Sequence, residues 1–163
     1  YWRENYVDFL VKMIAQLKAQ GVELFLLNHE GKSDQVICEK IQSKLPFELD
    51  VIVPDTSLEV KAIIGQCQWI FSSRFHGCVS ALSQNVPCLA TTWSHKYEEL
   101  FSDYEQIDWL VGKDLVGEKL ALFLKCFDEM ANQNSEVLKV NSNNEKLKSI
   151  QTWQQIQEIV NNY

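Results

Sequence analysis

Short apolar segments alternate with longer amphipathic segments along this chain, and this alternation restricts the possible folds more than any other feature. The amphipathic segments carry apolar residues at spacings of three and four, as Val7, Leu10 and Ile14 do in the first of them. Alternating strands and helices form parallel sheets with right-handed crossovers. We therefore predict an α/β domain in which a Rossmann-like parallel sheet carries helices on both faces. The predicted strands cover residues 22–27, 50–53, 69–72, 87–92 and 107–111.

Residues typical of caps and turns mark several predicted helix ends. Gly21 and Asn85 are placed to end the first and fourth helices, and Ser57 is placed to cap the third. Segment 133–144 is polar and is expected to be a loop or a frayed helical turn. The predicted helices cover residues 5–20, 33–44, 57–65, 75–84, 95–101, 115–131 and 145–160. The last of them is expected to bury Leu147, Ile150, Trp153, Ile156 and either Ile159 or Val160.

The composition indicates one globular domain and argues against several classes of protein. With 163 residues, of which 46% are hydrophobic, the chain is long enough to bury a core. Its net charge of −7 argues against a nucleic-acid partner, which would need a clustered basic face. No apolar run approaches the roughly 18 residues that span a bilayer, so no transmembrane segment is expected. The N-terminus also lacks a signal-peptide core, and we expect a cytoplasmic location.

Motifs for disulfide frameworks, zinc sites and common nucleotide cofactors are absent from the sequence. The five cysteines, at positions 38, 67, 78, 88 and 126, form no C-x-x-C pair. Their odd number and apolar neighbours predict buried free thiols. Neither the dinucleotide motif G-x-G-x-x-G nor the P-loop motif occurs. Nicotinamide and P-loop chemistry therefore have little support.

Residues 69–77, Trp-Ile-Phe-Ser-Ser-Arg-Phe-His-Gly, join an apolar strand to a helix through polar side chains. Ligands of open α/β sheets bind outside the carboxyl ends of the strands. Ser72 and Ser73 are candidate N-caps, and a helix that begins there would attract anions through its free N–H groups and its dipole. Arg74 offers a planar fork that fits phosphate or carboxylate, and His76 can exchange a proton near neutral pH. This segment therefore predicts anion binding and acid catalysis.

Polar residues also follow two other predicted strands. Residues 28–30 come after the first strand, and residues 94–96 come after the fourth. Because the carboxyl ends of parallel strands meet at one edge of a sheet, these segments and residues 72–76 would line a single cleft. The candidate site residues are His29, Ser73, Arg74, Phe75, His76, His95 and Lys96.

The same side chains also have interpretations that involve no ligand. Arg74 could form a surface ion pair, and His76 could be a hydrogen-bonded residue at a helix start. His29, Glu30 and Asp34 could be polar loop residues that cap the next helix. The residues after the fourth strand fit the binding and the structural interpretation equally well.

Four short motifs resemble a known family in their order along the chain. They are Ile-Ile-Gly-Gln-Cys at 63–67, Ser-Arg-Phe-His-Gly at 73–77, Asn-Val-Pro-Cys-Leu at 85–89 and His-Lys-Tyr at 95–97. Together they resemble the C-terminal half of the polysaccharide pyruvyl transferase family. That family combines Arg-[Leu/Phe]-His after a strand with a small-residue helix, a Val-Pro turn and a lysine beyond the next strand. The resemblance covers about residues 22–110.

The resemblance implies transfer of the pyruvyl group of phosphoenolpyruvate to a sugar of a cell-surface polysaccharide, which gives a pyruvate ketal. By this likeness, Arg74 would bind the phosphate or carboxylate of phosphoenolpyruvate, and the backbone around Phe75 would position it. His76 would be the general acid, and His95 and Lys96 would be further substrate contacts. Phosphoenolpyruvate is the donor substrate in this scheme, which requires no cofactor and no metal.

The family resemblance also carries expectations about domains and partners. Family members have two domains in an arrangement similar to the GT-B fold of glycosyltransferases. Residues 1–163 are therefore expected to be a single domain that corresponds to the C-terminal half, with residues 145–163 as its last helix. The expected partners are phosphoenolpyruvate, a saccharide acceptor and an N-terminal domain that is missing from this sequence and supplies the other wall of the cleft.

Two other functions fit parts of the sequence. A GT-B glycosyltransferase domain would hold a nucleotide-sugar in the same cleft, with basic side chains on the phosphates and Glu98 or Glu99 available for the ribose. A non-catalytic α/β interaction module would use its apolar first helix and its tryptophans as an interface. A large exposed patch at Trp93 or Trp109 would favour the interaction module.

Overall fold

A computed structural model describes residues 2–111 and 135–161, and these residues have an α/β architecture. The predicted helix at 115–131 lies outside them. The helices are α1 (Trp2–Ala19), α2 (Lys32–Gln42), α3 (Ser57–Ile64), α4 (Phe75–Leu82), α5 (His95–Asp103) and α6 (Ser135–Asn161), with a 3₁₀ turn at Ile107–Trp109. The strands are β1 (Leu26–Leu27), β2 (Val51–Ile52), β3 (Ile70–Ser72), β4 (Cys88–Thr91) and β5 (Leu110–Val111).

Every strand pair among the described residues is parallel. β1 pairs with β2 in a two-stranded sheet, and β3, β4 and β5 form a three-stranded sheet in that order. The register of the larger sheet places Ser72 of β3 beside Ala90 of β4. The carboxyl ends of β1, β3 and β4 lead into α2, α4 and α5, respectively. The predicted α/β class with parallel strands is confirmed.

The two faces of β3 pack against different groups of helices. Ile70 packs against the core that α3, α4 and α5 build, whereas Trp69 and Phe71 pack against the core of α1 and α2. The Phe71 ring lies 5.8 Å from the ring of Phe9 in α1. Side chains alternate between the two faces of a strand, so helices cover both faces of this sheet, as the alternation of elements predicts.

The strands are shorter than the apolar runs that predict them. Val22 and Leu24 belong to the first predicted strand and pack against the core of α1 and α2, but neither pairs with a neighbouring strand. Pairing begins at Leu26, whose N–H donates to the Asp50 carbonyl at 2.8 Å, and ends at Asn28, whose N–H donates to the Ile52 carbonyl at 2.9 Å. An apolar run therefore records burial, while strand length depends on where a partner backbone is available.

The predicted end signals of α1 and α4 are confirmed, whereas the N-cap of α3 lies one residue before the predicted one. Gly21, with φ 81°, and Asn85, with φ 63°, follow α1 and α4 in the left-handed conformation that ends helices. The N-cap of α3 is Thr56 and not the predicted Ser57, because the Thr56 side chain accepts a hydrogen bond from Glu59 N–H at 3.2 Å.

The polar segment 133–144, for which we predict a loop or a frayed helical turn, belongs to the regular helix α6 from its first described residue, Ser135. Its polar side chains attach the helix to the rest of the molecule. Ser142 Oγ donates to the Ser83 carbonyl at 3.0 Å, and Asn141 Nδ2 donates to the Tyr104 carbonyl at 3.3 Å. These polar side chains bond to backbone carbonyls of other elements. Sequence composition alone does not distinguish such side chains from the polar residues of a loop.

The apolar side chains in the second half of α6 are exposed, so their predicted burial is wrong. Leu138, near the start of the helix, enters the core of α3, α4 and α5 and is fully buried. The exposed side chains are Leu147, Ile150, Trp153, Ile156, Ile159 and Val160. Their spacing fits a helix, but no other described element covers them. No helix in the described ranges combines the length and the apolar character needed to cross a membrane.

The described cysteines are free thiols, in agreement with the sequence prediction. Cys38, Cys78 and Cys88 are buried, and Cys67 is half-buried. Burial raises the pKa of the Cys88 thiol far above its usual value, and its neighbour Cys78 adds to the effect. The Cys88 thiol is therefore a protonated side chain of the core. Cys126 lies outside the described residues.

Candidate active site

The turn from β3 into α4 places Arg74 and His76 at the carboxyl edge of the sheet. Ser72 Oγ accepts a hydrogen bond from Arg74 N–H at 3.0 Å and donates one to the Arg74 carbonyl at 3.1 Å. Arg74 is itself the N-cap of α4, in an extended conformation, and no side chain caps the helix. The predicted capping by Ser72 or Ser73 is therefore wrong. The first N–H groups of α4 remain available beside the Arg74 backbone.

Gly77 allows this turn to pack tightly. It is buried in the first turn of α4, and a Cβ at this position would lie 2.7 Å from Ser72 Oγ. Any larger residue would displace the hydroxyl that holds the Arg74 backbone. The lack of a side chain at Gly77 thus helps to set the position of Arg74.

The Arg74 guanidinium contacts two carboxylates from the segment after β1. Asp34 accepts hydrogen bonds from Arg74 Nε, at 3.2 Å, and from Arg74 Nη2. Nη2 also donates to Ser33 Oγ at 3.0 Å. Glu30 Oε2 lies 2.6 Å from Nη1. The other oxygen of Asp34 accepts the backbone N–H groups of His29 and Glu30, at 3.2 and 2.9 Å. One carboxylate therefore shapes the loop after β1 and also holds Arg74, the N-cap residue of α4.

These carboxylates determine the charge state of Arg74. Burial lowers the pKa of its guanidinium, but the hydrogen bond and charge of Asp34, together with the charge of Glu30, outweigh burial and raise the pKa above its usual value. Arg74 is a permanent cation at the edge of the sheet.

His29 lies close enough to His76 for their charges to interact. Burial lowers the pKa of His29 below its usual value, and positive charge on His76 and Arg74 acts in the same direction. Glu30 and Asp34 oppose this shift without reversing it. His29 therefore presents a neutral imidazole to the cleft at neutral pH.

The end of β1 also has unused hydrogen-bonding capacity. His29 Nδ1 and Asn28 Oδ1 are shielded from solvent and have no hydrogen-bond partner within the part of the chain that the structure describes. The amide nitrogen of Asn28 donates to Gln35 Oε1 at 3.2 Å, which fixes the orientation of that side chain. Buried polar atoms are almost always bonded to protein or to ordered water, so this end of β1 is a polar position suited to a ligand or water.

Lys96 lies among aromatic side chains at the end of β4. Its Nζ lies 4.4 Å from the centre of the Phe75 ring, 5.0 Å from Trp93 and 5.8 Å from Tyr97, distances typical of cation–π contacts. The buried Tyr97 donates its hydroxyl to the Ser73 carbonyl at 2.8 Å. These contacts fasten α5 to the β3–α4 turn and bring Lys96 beside the residue that precedes His76.

The structure thus brings together most of the predicted site residues. The exposed His76 ring has its centre 6.0 Å from that of Phe75, in an edge-to-face contact. His95 is exposed at the first residue of α5, and no hydrogen bond or ion pair between described residues joins it to the others. Of the two tryptophans that would favour an interaction module, Trp93 is 59% exposed, whereas Trp109 packs against the core.

Sequence reasoning missed how closely two further residues approach the site. Asp34 appears in the sequence only as a polar loop residue, and its contact with Arg74 spans 40 positions along the chain. Tyr6 of α1 reaches the same edge. Burial raises the pKa of its phenol, and hydrogen bonds with the side chains of Ser73 and Thr91 partly offset this. The helical periodicity of α1 contains no signal that would single out Tyr6.

Charged and titratable side chains meet at this edge of the sheet. Arg74 and Lys96 are cations there, Glu30 and Asp34 are paired with Arg74, and His29 and His76 carry imidazoles. Across residues 2–111 and 135–161, no three His, Cys, Asp or Glu side chains form a group that could hold a metal ion. The arrangement can bind a phosphate or carboxylate and exchange a proton next to it.

Comparison with known proteins identifies one family. A model of the polysaccharide pyruvyl transferase family matches residues 2–95, which run from α1 to the start of α5. The match therefore includes the ends of β1, β3 and β4, which precede the candidate site residues, and it ends one residue before Lys96. No curated protein and no solved structure matches the chain.

Proposed function

Because the chain belongs to the polysaccharide pyruvyl transferase family, we propose that it transfers the pyruvyl group of phosphoenolpyruvate to a saccharide and forms a pyruvate ketal. One observation carries this proposal. Phe75 contacts both Lys96, at 4.4 Å, and His76, at 6.0 Å, and it directly follows Arg74. Two cations and an imidazole therefore surround one short turn, and they suit a donor with a phosphate, a carboxylate and a carbon to be protonated.

The proposed reaction needs an acid, an anion site and two acceptor hydroxyls. Protonation of the methylene carbon of phosphoenolpyruvate makes the neighbouring carbon electrophilic. One acceptor hydroxyl adds to that carbon and loses its proton, and phosphate then leaves with the electron pair of its C–O bond. The second hydroxyl adds to the same carbon and loses its proton, which closes the ketal. The products are the ketal and inorganic phosphate.

The roles of the side chains follow from their chemistry. His76 would deliver the proton to the donor carbon. Arg74, Lys96 and the first N–H groups of α4 would bind the phosphate and carboxylate, and would stabilise phosphate as it leaves. The neutral imidazole of His29 would contact the substrate across the cleft. Ser73 and His95 remain predicted substrate contacts.

Donor binding is the direct test, because turnover also requires groups for the acceptor, which we expect from a further domain. Phosphoenolpyruvate should raise the melting temperature of the protein, since a ligand that binds the folded state stabilises it by mass action. UDP-glucose, a representative nucleotide-sugar, should leave the melting temperature unchanged. Stabilisation by UDP-glucose without stabilisation by phosphoenolpyruvate would overturn the proposal in favour of a glycosyltransferase domain.

A further inference from the structure

Arg74 has more negative charge around it than one guanidinium can balance. Both Glu30 and Asp34 are in ion-pair contact with it. A substrate phosphate or carboxylate that approached the same guanidinium would be the third anion there, and like charges repel at short range. Binding of an anion therefore requires one of the two carboxylates to withdraw.

The two carboxylates are held very differently. The side chain of Asp34 is 11% exposed, and it accepts hydrogen bonds from two guanidinium nitrogens and from two backbone N–H groups. The side chain of Glu30 is 42% exposed and, among the described residues, is paired with Nη1 of Arg74 alone, with the neutral His29 imidazole 4.0 Å away. Exposed ion pairs contribute little, whereas breaking a buried, hydrogen-bonded pair is costly. Glu30 is the carboxylate that can leave.

The loop gives Glu30 room to move. Gly31 follows it with φ 68°, and a Cβ on that glycine would meet no atom within 4 Å, so the turn faces open space. The backbone N–H of Glu30 stays bonded to Asp34 at 2.9 Å. The side chain can therefore rotate away from Arg74 while the backbone of the loop keeps its place.

From these contacts we infer that Glu30 is a displaceable counter-ion, which occupies Nη1 of Arg74 until an anionic group of the substrate replaces it. Asp34 is a positioning residue that keeps the guanidinium in place during the exchange. Once Glu30 has left, Arg74 and Lys96 together offer the substrate a net positive charge. The identification of that substrate as phosphoenolpyruvate rests on the proposed function, but the exchange on Arg74 does not.

Isothermal titration with phosphoenolpyruvate tests the exchange directly. Glu30→Gln should lower the Kd roughly three- to tenfold, because it removes a competing charge from the anion position. Glu23→Gln is the matched control, since Glu23 is exposed before β1 and forms no ion pair with another described residue. Its Kd should equal that of the wild type. An unchanged or higher Kd for Glu30→Gln would overturn the inference.

Asp34→Asn tests whether Asp34 and Glu30 have different roles. It should raise the Kd, because Arg74 loses the group that positions it, and circular dichroism would show whether the variant is folded. If a folded Asp34→Asn variant bound phosphoenolpyruvate as tightly as Glu30→Gln, the distinction between the two carboxylates would be wrong.

Inorganic phosphate distinguishes failure of the inference from failure of the proposed function. Tighter phosphate binding by Glu30→Gln, with no binding of phosphoenolpyruvate by any variant, would support the exchange and reject the proposed donor. Binding of phosphoenolpyruvate to the wild type, without tighter binding by Glu30→Gln, would reject the exchange alone. If no variant binds either ligand, both are rejected.

Discussion

The Ser72 hydroxyl occupies space that exists only because residue 77 has no side chain. A Cβ on Gly77 would lie 2.7 Å from that hydroxyl, which must then turn away and give up its hydrogen bonds to the Arg74 backbone. Gly77→Ala should therefore lower the free energy of unfolding by about 1–3 kcal/mol, the usual range for overpacking. Urea unfolding followed by circular dichroism measures this change.

A double-mutant cycle shows whether the Ser72 hydroxyl is the cause. In a Ser72→Ala background the clash is gone, because the nearest remaining atom, Ser72 Cβ, is 3.5 Å away. Gly77→Ala should then lower the free energy of unfolding by less than it does in the wild type. The effects of the two substitutions should be clearly non-additive. Equal costs in both backgrounds would mean that the crowding lies elsewhere.

Substitutions of His76 and Arg74, which lie two positions apart, should have different effects on transfer and on donor binding. His76 is exposed, so His76→Ala should change the free energy of unfolding by less than about 0.5 kcal/mol. Where the acceptor-binding domain is also present, it should abolish pyruvyl transfer, yet keep the rise in melting temperature that phosphoenolpyruvate causes. Arg74→Lys keeps the charge but loses the planar fork, so it should weaken that rise. Transfer by His76→Ala at the wild-type rate would exclude His76 as the acid.

At the scale of elements, the buried contacts of α6 with the rest of the described residues lie in its first turns. Leu138 is fully buried in the core of α3, α4 and α5, whereas Trp153, further along the same helix, is 64% exposed. Leu138→Ala should lower the free energy of unfolding by about 2–5 kcal/mol. Trp153→Ala, the control on the same helix, should change it by less than about 0.5 kcal/mol. Similar losses for the two variants would show that the second half of α6 is also packed in solution.

The order of elements could be predicted from the sequence because each element has a local cause. Apolar spacing, Gly21 and Asn85 define α1 and α4 without reference to the rest of the chain. The length of β1 and the burial of α6 could not be predicted in this way. Both depend on which surface lies opposite, and periodicity records only that a helix or strand has an apolar side.

The candidate site also has one part that the sequence predicts and one part that it does not. Parallel topology alone predicts that Arg74, His76 and Lys96 lie at one edge, since strand ends converge whatever their side chains do. The contact of Arg74 with Glu30 and Asp34 depends on how the loop after β1 and the first turn of α2 orient their side chains toward a residue 40 or more positions away. No pattern in a single sequence encodes that orientation.

For the whole molecule, the cleft makes stability depend on pH through His29. Its pKa in the folded state is lowered from the usual 6.5, first by burial and then by the positive charges of His76 and Arg74. Below about pH 6.5 the unfolded chain therefore binds more protons at this residue than the folded protein does. The free energy of unfolding should fall as the pH decreases from 6.5 toward the lower folded pKa.

His29→Gln should remove this dependence, because glutamine does not titrate. Between pH 5 and 6.5 the wild type should lose stability more steeply than the variant, by at most about 1.4 kcal/mol per pH unit for one proton. Between pH 8 and 9 the two curves should run parallel, which serves as the internal control, since His29 is then neutral in both folded and unfolded chains. Urea unfolding across this range measures both slopes. Parallel curves below pH 6.5 would mean that the imidazole is as easily protonated in the cleft as in water, and that His29 is not held neutral there.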